Sequence, residues 1–222
     1  MSSDQGNGGH RVRFNGEQAK ARAREALAKS EFILSRAYGL VRETDKEWAQ
    51  IKGEETNIPS IMLGYVAPLA AIPPLCGLIG SYLFGSSYNG VNVRPPLDAA
   101  LVGALVSFVA FVAAVFMLGL LINAVAEQFD ADRDDLAAQK VAAYSMTPVF
   151  LSGVFSLWPP LWWISLIALG ASAFLLYRGL PLLMKAPEDR ALSYASMVAV
   201  AGAVGFILLL ALSSCVTGAG RL

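Results

Sequence analysis

Five apolar stretches, separated by short polar segments, dominate the sequence after residue 57. They are residues 61–84, 97–126, 141–157, 161–177 and 192–215. A helix needs about 20 mostly apolar residues to cross the hydrocarbon core of a bilayer, where every backbone polar group must find a partner within the protein. The pattern therefore predicts an all-α, polytopic integral membrane protein with five transmembrane helices. The third and fourth stretches are short, so four or six crossings remain open.

Charge is concentrated ahead of these stretches. Residues 1–57 carry ten Lys or Arg and nine Asp or Glu, which is more than half of the 17 cations and 17 acids in the chain. We predict that they form a cytoplasmic polar head and that residues 58–222 form the membrane domain. Within the head, the composition predicts disorder over residues 1–10, a helix over 18–41, and a short interfacial helix over 45–53.

The distribution of Lys and Arg predicts the orientation in the membrane, because both favour the cytoplasmic side. With five crossings, the head and the loops at 127–140 and 178–191 lie on one side and hold fifteen cations. The other side holds two, Arg94 and Arg221. We therefore expect a cytoplasmic N-terminus and an exterior C-terminus. The zero net charge argues against nucleic-acid binding, which requires a basic surface.

The segment EQFDADRDDLAAQK, residues 127–140, is the most charged part of the membrane domain. Its acids at 130, 132 and 134 have the spacing that opens a calcium-binding EF-hand loop, but that loop requires Gly at its sixth position and Glu at its twelfth. Those positions hold Asp135 and Val141. We interpret the segment as a solvated cytoplasmic loop. Its candidate contact residues are Asp130, Asp132, Arg133, Asp134 and Asp135.

The sequence offers no motif for catalysis or for a cofactor. It has no GxxxxGK[ST], no GxSxG, no paired CxxC and no GxGxxG after a strand, and its one histidine, His10, lies in the Gly-rich beginning of the head. We predict no catalytic residue, no metal site, no cofactor and no enzyme activity.

Prolines within or beside the apolar stretches are the more informative feature of the membrane domain. Each removes a backbone donor and can kink or end a helix. One interpretation is an ordinary kink that neighbouring helices absorb, and the other is a bent surface that lipids or partner proteins recognise. Together with several aromatic residues, one glycine and one lysine, they form a set of candidate structural, lipid-facing or partner-facing positions: Trp48, Tyr65, Pro68, Pro73, Pro74, Lys140, Tyr144, Pro148, Tyr177, Gly179 and Pro181.

Several motifs follow one another in an order that resembles a known family. Glu47-Trp48 precedes GYVAPLAAIPPL at residues 64–75. FDADRDDLAAQKVAAYSMTP follows the second apolar stretch, and LYRGLPLLMKAPEDRALSY overlaps the end of the fourth. In this order, residues 44–215 resemble the bacterial branch of the Yip domain family, whose eukaryotic members are named for interaction with Ypt/Rab GTPases. The most specific positions are Lys140, Ala143, Tyr144 and Pro148, then Tyr177, Gly179, Leu180 and Pro181.

The resemblance implies five helices, a cytoplasmic N-terminus, an exterior C-terminus, a location in the bacterial inner membrane and no established catalytic residue. The head lacks the long acidic or Pro-rich region that contacts GTPases in the eukaryotic proteins, so a Rab-type partner is not favoured. We expect a non-enzymatic protein that organises the membrane or recruits lipids or proteins, with membrane lipids, a protein at the cytoplasmic face or a second copy of the chain as partners. A small channel or transporter for a lipid or small solute is the alternative.

Overall fold

The computed structural model describes residues 8–88, 91–93, 96–161 and 163–217. It divides into two units, residues 1–42 and residues 43–222. The first unit contains one helix, α1 (Gly8–Arg42), which includes the helix predicted over 18–41. Disorder was predicted for residues 1–10; residues 1–7 lie outside the described residues, and Gly8 to His10 begin α1.

The second unit begins with α2 (Thr44–Gly53) and continues into a long irregular helix, Ile58–Phe84. Asn57 starts this helix, since its side chain accepts a hydrogen bond from the Ser60 amide at 2.8 Å. Prolines explain why the helix is irregular, because each lacks the N–H that would bond one turn back. The helix consists of α3 (Ile58–Ile61), a π-helical turn (Met62–Val66), α4 (Ala67–Ala70) and α5 (Ile72–Phe84).

Two short strands follow α5 and interrupt the otherwise helical architecture. Strand β1 (Ser86–Tyr88) pairs antiparallel with β2 (Val91–Val93), with Ser86 opposite Val93. Helix α6 (Leu97–Val125) then returns along the unit and ends in a 3₁₀ turn (Ala126–Phe129).

The last two helices are α9 (Ile164–Met184) and α10 (Glu188–Thr217). Helix α10 packs on α6. The Tyr194 hydroxyl donates to the Ile122 carbonyl at 2.5 Å, and the rings of Phe111 and Phe206 stack 5.5 Å apart. A Cβ on Gly202 would lie 2.8 Å from Leu118, so the small residue permits this close approach.

The third apolar stretch, residues 141–157, does not form one continuous helix. The chain there forms α7 (Asp135–Ser145), α8 (Thr147–Ser152) and a 3₁₀ helix (Gly153–Leu157), followed by a short 3₁₀ turn (Pro159–Leu161). Pro148 is the physical reason for the break, because it cannot donate to the Tyr144 carbonyl. The Thr147 hydroxyl donates to that carbonyl instead, at 2.7 Å. We refer to residues 135–158 as the broken segment.

Four helices in the described residues are long and apolar enough to cross a membrane: Ile58–Phe84, Leu97–Phe129, Ile164–Met184 and Glu188–Leu209. The prediction of five continuous transmembrane helices is therefore wrong at residues 141–157. The fourth predicted helix, 161–177, is displaced and starts at Ile164. A polytopic, almost entirely helical membrane protein is nevertheless what the structure contains.

Helix α7 lies at the centre of the second unit. All nine residues from Ala137 to Ser145 are buried, including Gln139 and Lys140. The helix packs between α6 on one side and α9 on the other. A buried helix with polar side chains needs an internal partner for each of them, and those partners define the site below.

Candidate functional site

A cluster around α7 holds α2 against the membrane helices. It consists of Lys140, Trp48, Tyr144, Tyr65 and Gly179, and we call it the α2 anchor. All five were predicted as candidate positions, and the structure brings them together from four parts of the chain. They are buried, with Trp48 fully so and Lys140 4% exposed.

Lys140 binds the end of α2 through its charged head. Its Nζ donates to the carbonyl oxygens of Ile51 and Glu54, each at 2.8 Å. The last carbonyls of a helix have no partner within the helix and carry a partial negative charge, so a cation there is favourable. Lys140 thus caps α2 from another helix and joins the two.

Trp48 supplies the apolar half of the anchor. Its ring meets the Tyr144 ring edge-on, with 6.4 Å between centroids, and lies against Gly179 of α9. Ile51, one turn further along α2, is also fully buried. A helix lying in the membrane interface would turn these two residues toward lipid. Here the apolar face of the predicted interfacial helix packs into the protein.

The hydroxyl groups of Tyr65 and Thr147 connect the first membrane helix to the end of α7. The Tyr65 and Tyr144 rings are 4.5 Å apart, and the Tyr65 hydroxyl lies 2.8 Å from Thr147 Oγ1. Since Thr147 donates its proton to the Tyr144 carbonyl, it accepts from Tyr65. The break before Pro148 is therefore stabilised by two hydrogen bonds.

Gln139 provides a second polar contact on the other face of α7. Its Nε2 donates to the Val115 carbonyl at 3.3 Å and lies 3.3 Å from the Met62 sulfur. A Cβ on Gly119 would be only 2.2 Å from the Gln139 side chain, so the glycine makes room for the amide. This contact fixes the first half of α7 against α6.

The predicted acidic loop forms one ion pair of its own and two with residues that follow α9, in the connecting loop and in the first turn of α10. Lys185 contacts Asp132 at 2.7 Å and Arg190 contacts Asp130 at 2.9 Å, while Arg133 lies 3.4 Å from Glu127. The Asp132 amide also donates to the Met184 carbonyl at 2.8 Å. The hydrogen bond from Lys185 to Asp132 raises the pKa of the lysine, because it favours the charged form. The two loops are thus held side by side.

The other loop acids have local structural tasks. Asp134 caps α7 by accepting from the Ala137 amide at 2.9 Å, and Asp135 accepts from Asn123 at 2.5 Å. Within the ranges that the structure describes, no group of three or more His, Cys, Asp or Glu side chains could hold a metal ion. The acids of this loop therefore stabilise helix ends and the contact between neighbouring segments.

The remaining predicted positions lie outside the α2 anchor. Pro68 begins α4, while Pro73 and Pro74 begin α5, where Pro73 packs against Gly153. Pro148 begins α8, and Tyr177 and Pro181 lie half-buried within α9.

Four contributors were missed by the sequence analysis. These are Asp45 with its partner Arg178, Gln139 and Thr147. Arg178 forms two hydrogen bonds with Asp45, at 2.5 and 3.0 Å, and so joins α9 to the start of α2. Three of them are polar residues within or next to apolar stretches, and this feature of the sequence could have identified them. Arg178 follows the fourth apolar stretch, and Gln139 and Thr147 flank the Lys140–Tyr144 motif.

We expect Gly179→Ala to destabilise the protein and Gly170→Ala to leave it unchanged or slightly more stable. Both glycines lie in α9, but a Cβ at 179 would meet the rigid Trp48 ring at 2.8 Å, whereas nothing lies within 4 Å of one at 170. Overpacking of this kind costs about 1–3 kcal/mol. Alanine in an open helix position gains up to about 1 kcal/mol. Reversible unfolding in mixed micelles measures both, and equal effects would contradict the tight contact.

We expect Lys140→Met to lower the free energy of unfolding by about 2–4 kcal/mol, because one buried and one partly buried carbonyl lose a charged donor. Lys185→Met is the matched control. It also removes a short contact of a lysine ammonium group, the ion pair with Asp132. Both groups of that pair are exposed, and such a pair contributes little to stability in water. The same micelle titration compares them, and limited proteolysis between residues 42 and 58 reports release of α2. A Lys140→Met protein as stable as the control would show that the anchor does not hold α2.

Comparison with known proteins identifies a family for most of the chain. The Yip1 domain model matches residues 38–209. The inner membrane protein YohC of Escherichia coli strain K12 is 30% identical over 192 residues, which cover 84% of this chain and 98% of YohC. The YohC protein of E. coli O6:H1 matches to the same extent. No solved structure matches.

The family match includes every member of the α2 anchor, from Trp48 through Gly179. It confirms the resemblance identified over residues 44–215. The chain is a multi-pass membrane protein that belongs to the Yip1 domain family.

Proposed function

We propose that this chain is a non-enzymatic protein of a bacterial inner membrane that recruits a partner protein to a fixed cytoplasmic surface. The location follows YohC, which is named as an inner membrane protein. The observation that carries the proposal is the α2 anchor. It joins a short polar helix to the membrane helices through a buried cation and a buried tryptophan.

The anchored helix presents a polar face to its surroundings. While Trp48 and Ile51 point inward, Lys46, Gln50 and Lys52 are exposed. A preorganised surface loses little conformational entropy when a partner binds. Because α2 is docked on α7 and α9, it is better suited to recognition than a freely moving helix would be.

The paired loops support a five-crossing topology. Asp130 and Asp132 follow α6, whereas Lys185 and Arg190 follow α9, and their ion pairs require both loops to lie on one side of the membrane. If α9 crosses once, the chain between the loops must cross once in the opposite direction. Among the described residues between the two loops, the broken segment is the only part outside α9 with the required length.

Contacts along the broken segment agree with a full crossing. Near its beginning, Gln139 lies beside Met62. Further along, Gly153 packs against Pro73, and Trp158 stacks on Phe84 with 6.2 Å between ring centroids. The segment thus follows the first membrane helix from near its start to its end. Five crossings put the two ends on opposite sides, and the Lys and Arg residues of the head and the paired loops favour a cytoplasmic N-terminus and an exterior C-terminus.

A non-enzymatic role is supported by how the loop acids are used. Asp130 and Asp132 are bound to cations, Asp134 caps a helix, and Asp135 accepts from an amide. Carboxylates with such structural partners are poorly placed to act as general acids or bases.

Reporter fusions test the proposed topology. A fusion at residue 187, between α9 and α10, should fluoresce as a cytoplasmic green fluorescent protein and be inactive as alkaline phosphatase. A fusion after residue 217 should show the reverse pattern, because α10 crosses between the two points. Identical patterns at both positions would contradict five crossings with α10 as the last.

Site-specific photocrosslinking tests the proposed recruitment. A photoactivatable amino acid placed at Gln50 or Lys52 should give a discrete adduct with another protein in native membranes. The same residue at Leu105 or Leu166, which are exposed on apolar helices, is the matched control and should label lipid. Mass spectrometry identifies the adducts. Adducts from Gln50 and Lys52 that contain only lipid, or only a second copy of this chain, would contradict recruitment of a different protein.

A further inference from the structure

An open recess lies between α5 and α6, away from the α2 anchor. Its volume is about 390 Å³, within the range of roughly 300–1,000 Å³ typical of small-molecule pockets. The residues that line it are mostly apolar or small, with serines at intervals. They include Pro74, Gly77, Ser81, Ala104, Ser107 and Phe111.

The recess exists because small residues face each other across a gap. On α6, lining positions recur at Ala100, Ala104, Ser107 and Phe111, which lie on one face of the helix. Small residues usually let two helices approach closely. Here α5 instead approaches the broken segment, where a Cβ on Gly80 would lie 2.6 Å from the Ser156 carbonyl oxygen. The small residues of α6 therefore border open space.

The position and length of the recess match one leaflet of a bilayer. It runs from Ala100, near the start of α6, to Phe111, which is about 16 Å at the helical rise of 1.5 Å per residue. The hydrocarbon core is about 30 Å thick. If α6 crosses the membrane as proposed, the recess spans about half of the core, in the half opposite the α2 anchor.

We infer that this recess binds one acyl chain of a membrane phospholipid. The apolar lining matches hydrocarbon, the length matches a chain confined to one leaflet, and the recess is open between two helices long and apolar enough to cross a membrane. The Ser81 hydroxyl already donates to the Leu78 carbonyl at 2.8 Å, so it presents little unsatisfied polarity to the recess. This inference goes beyond the proposed recruitment, which depends on the cytoplasmic surface of α2.

The test uses the full chain in nanodiscs of phosphatidylethanolamine and phosphatidylglycerol that contain a phosphatidylcholine with a photoactivatable acyl chain. Labelled residues are mapped by mass spectrometry. Labelling of residues 74–81 and 100–111 should saturate as the probe fraction rises. Labelling of the exposed face of α9 should rise in proportion to the probe, as expected for lipid that is not held at a site.

Gly77→Leu should reduce the saturable labelling by about tenfold, the effect of losing about 1.4 kcal/mol of binding. Nothing lies within 4 Å of a Cβ at 77, so the leucine side chain can enter the recess without displacing the backbone. Gly170→Leu is the matched control, since its Cβ also meets open space but lies outside the recess. Ser107→Leu, on the opposite wall, gives a second variant that should act like Gly77→Leu.

Three results would overturn the inference. These are labelling of the recess that never saturates, saturable labelling that survives both filled variants, and an equal loss in Gly170→Leu. None of them bears on recruitment, which is read from photocrosslinks at Gln50 and Lys52. Failure of the lipid site and failure of the proposed function are therefore separately visible.

Discussion

The structure depends on how the central broken segment satisfies its backbone in apolar surroundings. Pro148 leaves the Tyr144 carbonyl without the N–H donor that it would have in a regular helix. In a membrane, such a carbonyl must find another partner within the protein. Thr147 provides that pairing and in turn binds Tyr65. The helix can therefore break without exposing its backbone, and the break lets α7 and the following 3₁₀ helix each approach different neighbours. On one side of the break, α7 contacts α2, α6 and α9.

The same logic explains why a lysine is tolerated in the buried part of α7. Lys140 meets carbonyl oxygens whose partial charge comes from the end of a helix, so its burial is compensated without a carboxylate in direct contact. The apolar contact of Trp48 with Gly179 supports the same docking from the other side. Polar and apolar interactions thus hold α2 at two separate points.

Long apolar runs made the regular helices predictable from sequence. Residues 97–126 were predicted for the second span, and α6 covers Leu97–Val125, because the run is long and free of proline. The segment 141–157 was not predictable in the same way. Hydropathy reports how apolar a stretch is, whereas the break there depends on Pro148 and on a hydroxyl from Tyr65 far away in sequence. The docking of α2 was also missed, since its partners lie about 90 to 130 residues away in the chain.

The ion pairs between the two loops have a consequence for biosynthesis. On the proposed topology, the broken segment and α9 form a helical hairpin with both ends at the cytoplasmic side. Its first arm carries Gln139, Lys140 and a break, so it is a weak membrane anchor by itself. The partners of these polar groups on α2 and α6 are synthesised earlier, but α9, the other wall of the arm, emerges later. The first arm therefore has all of its packing partners only after the ribosome has passed Met184. The two arms of this hairpin thus insert into the membrane together, in one step.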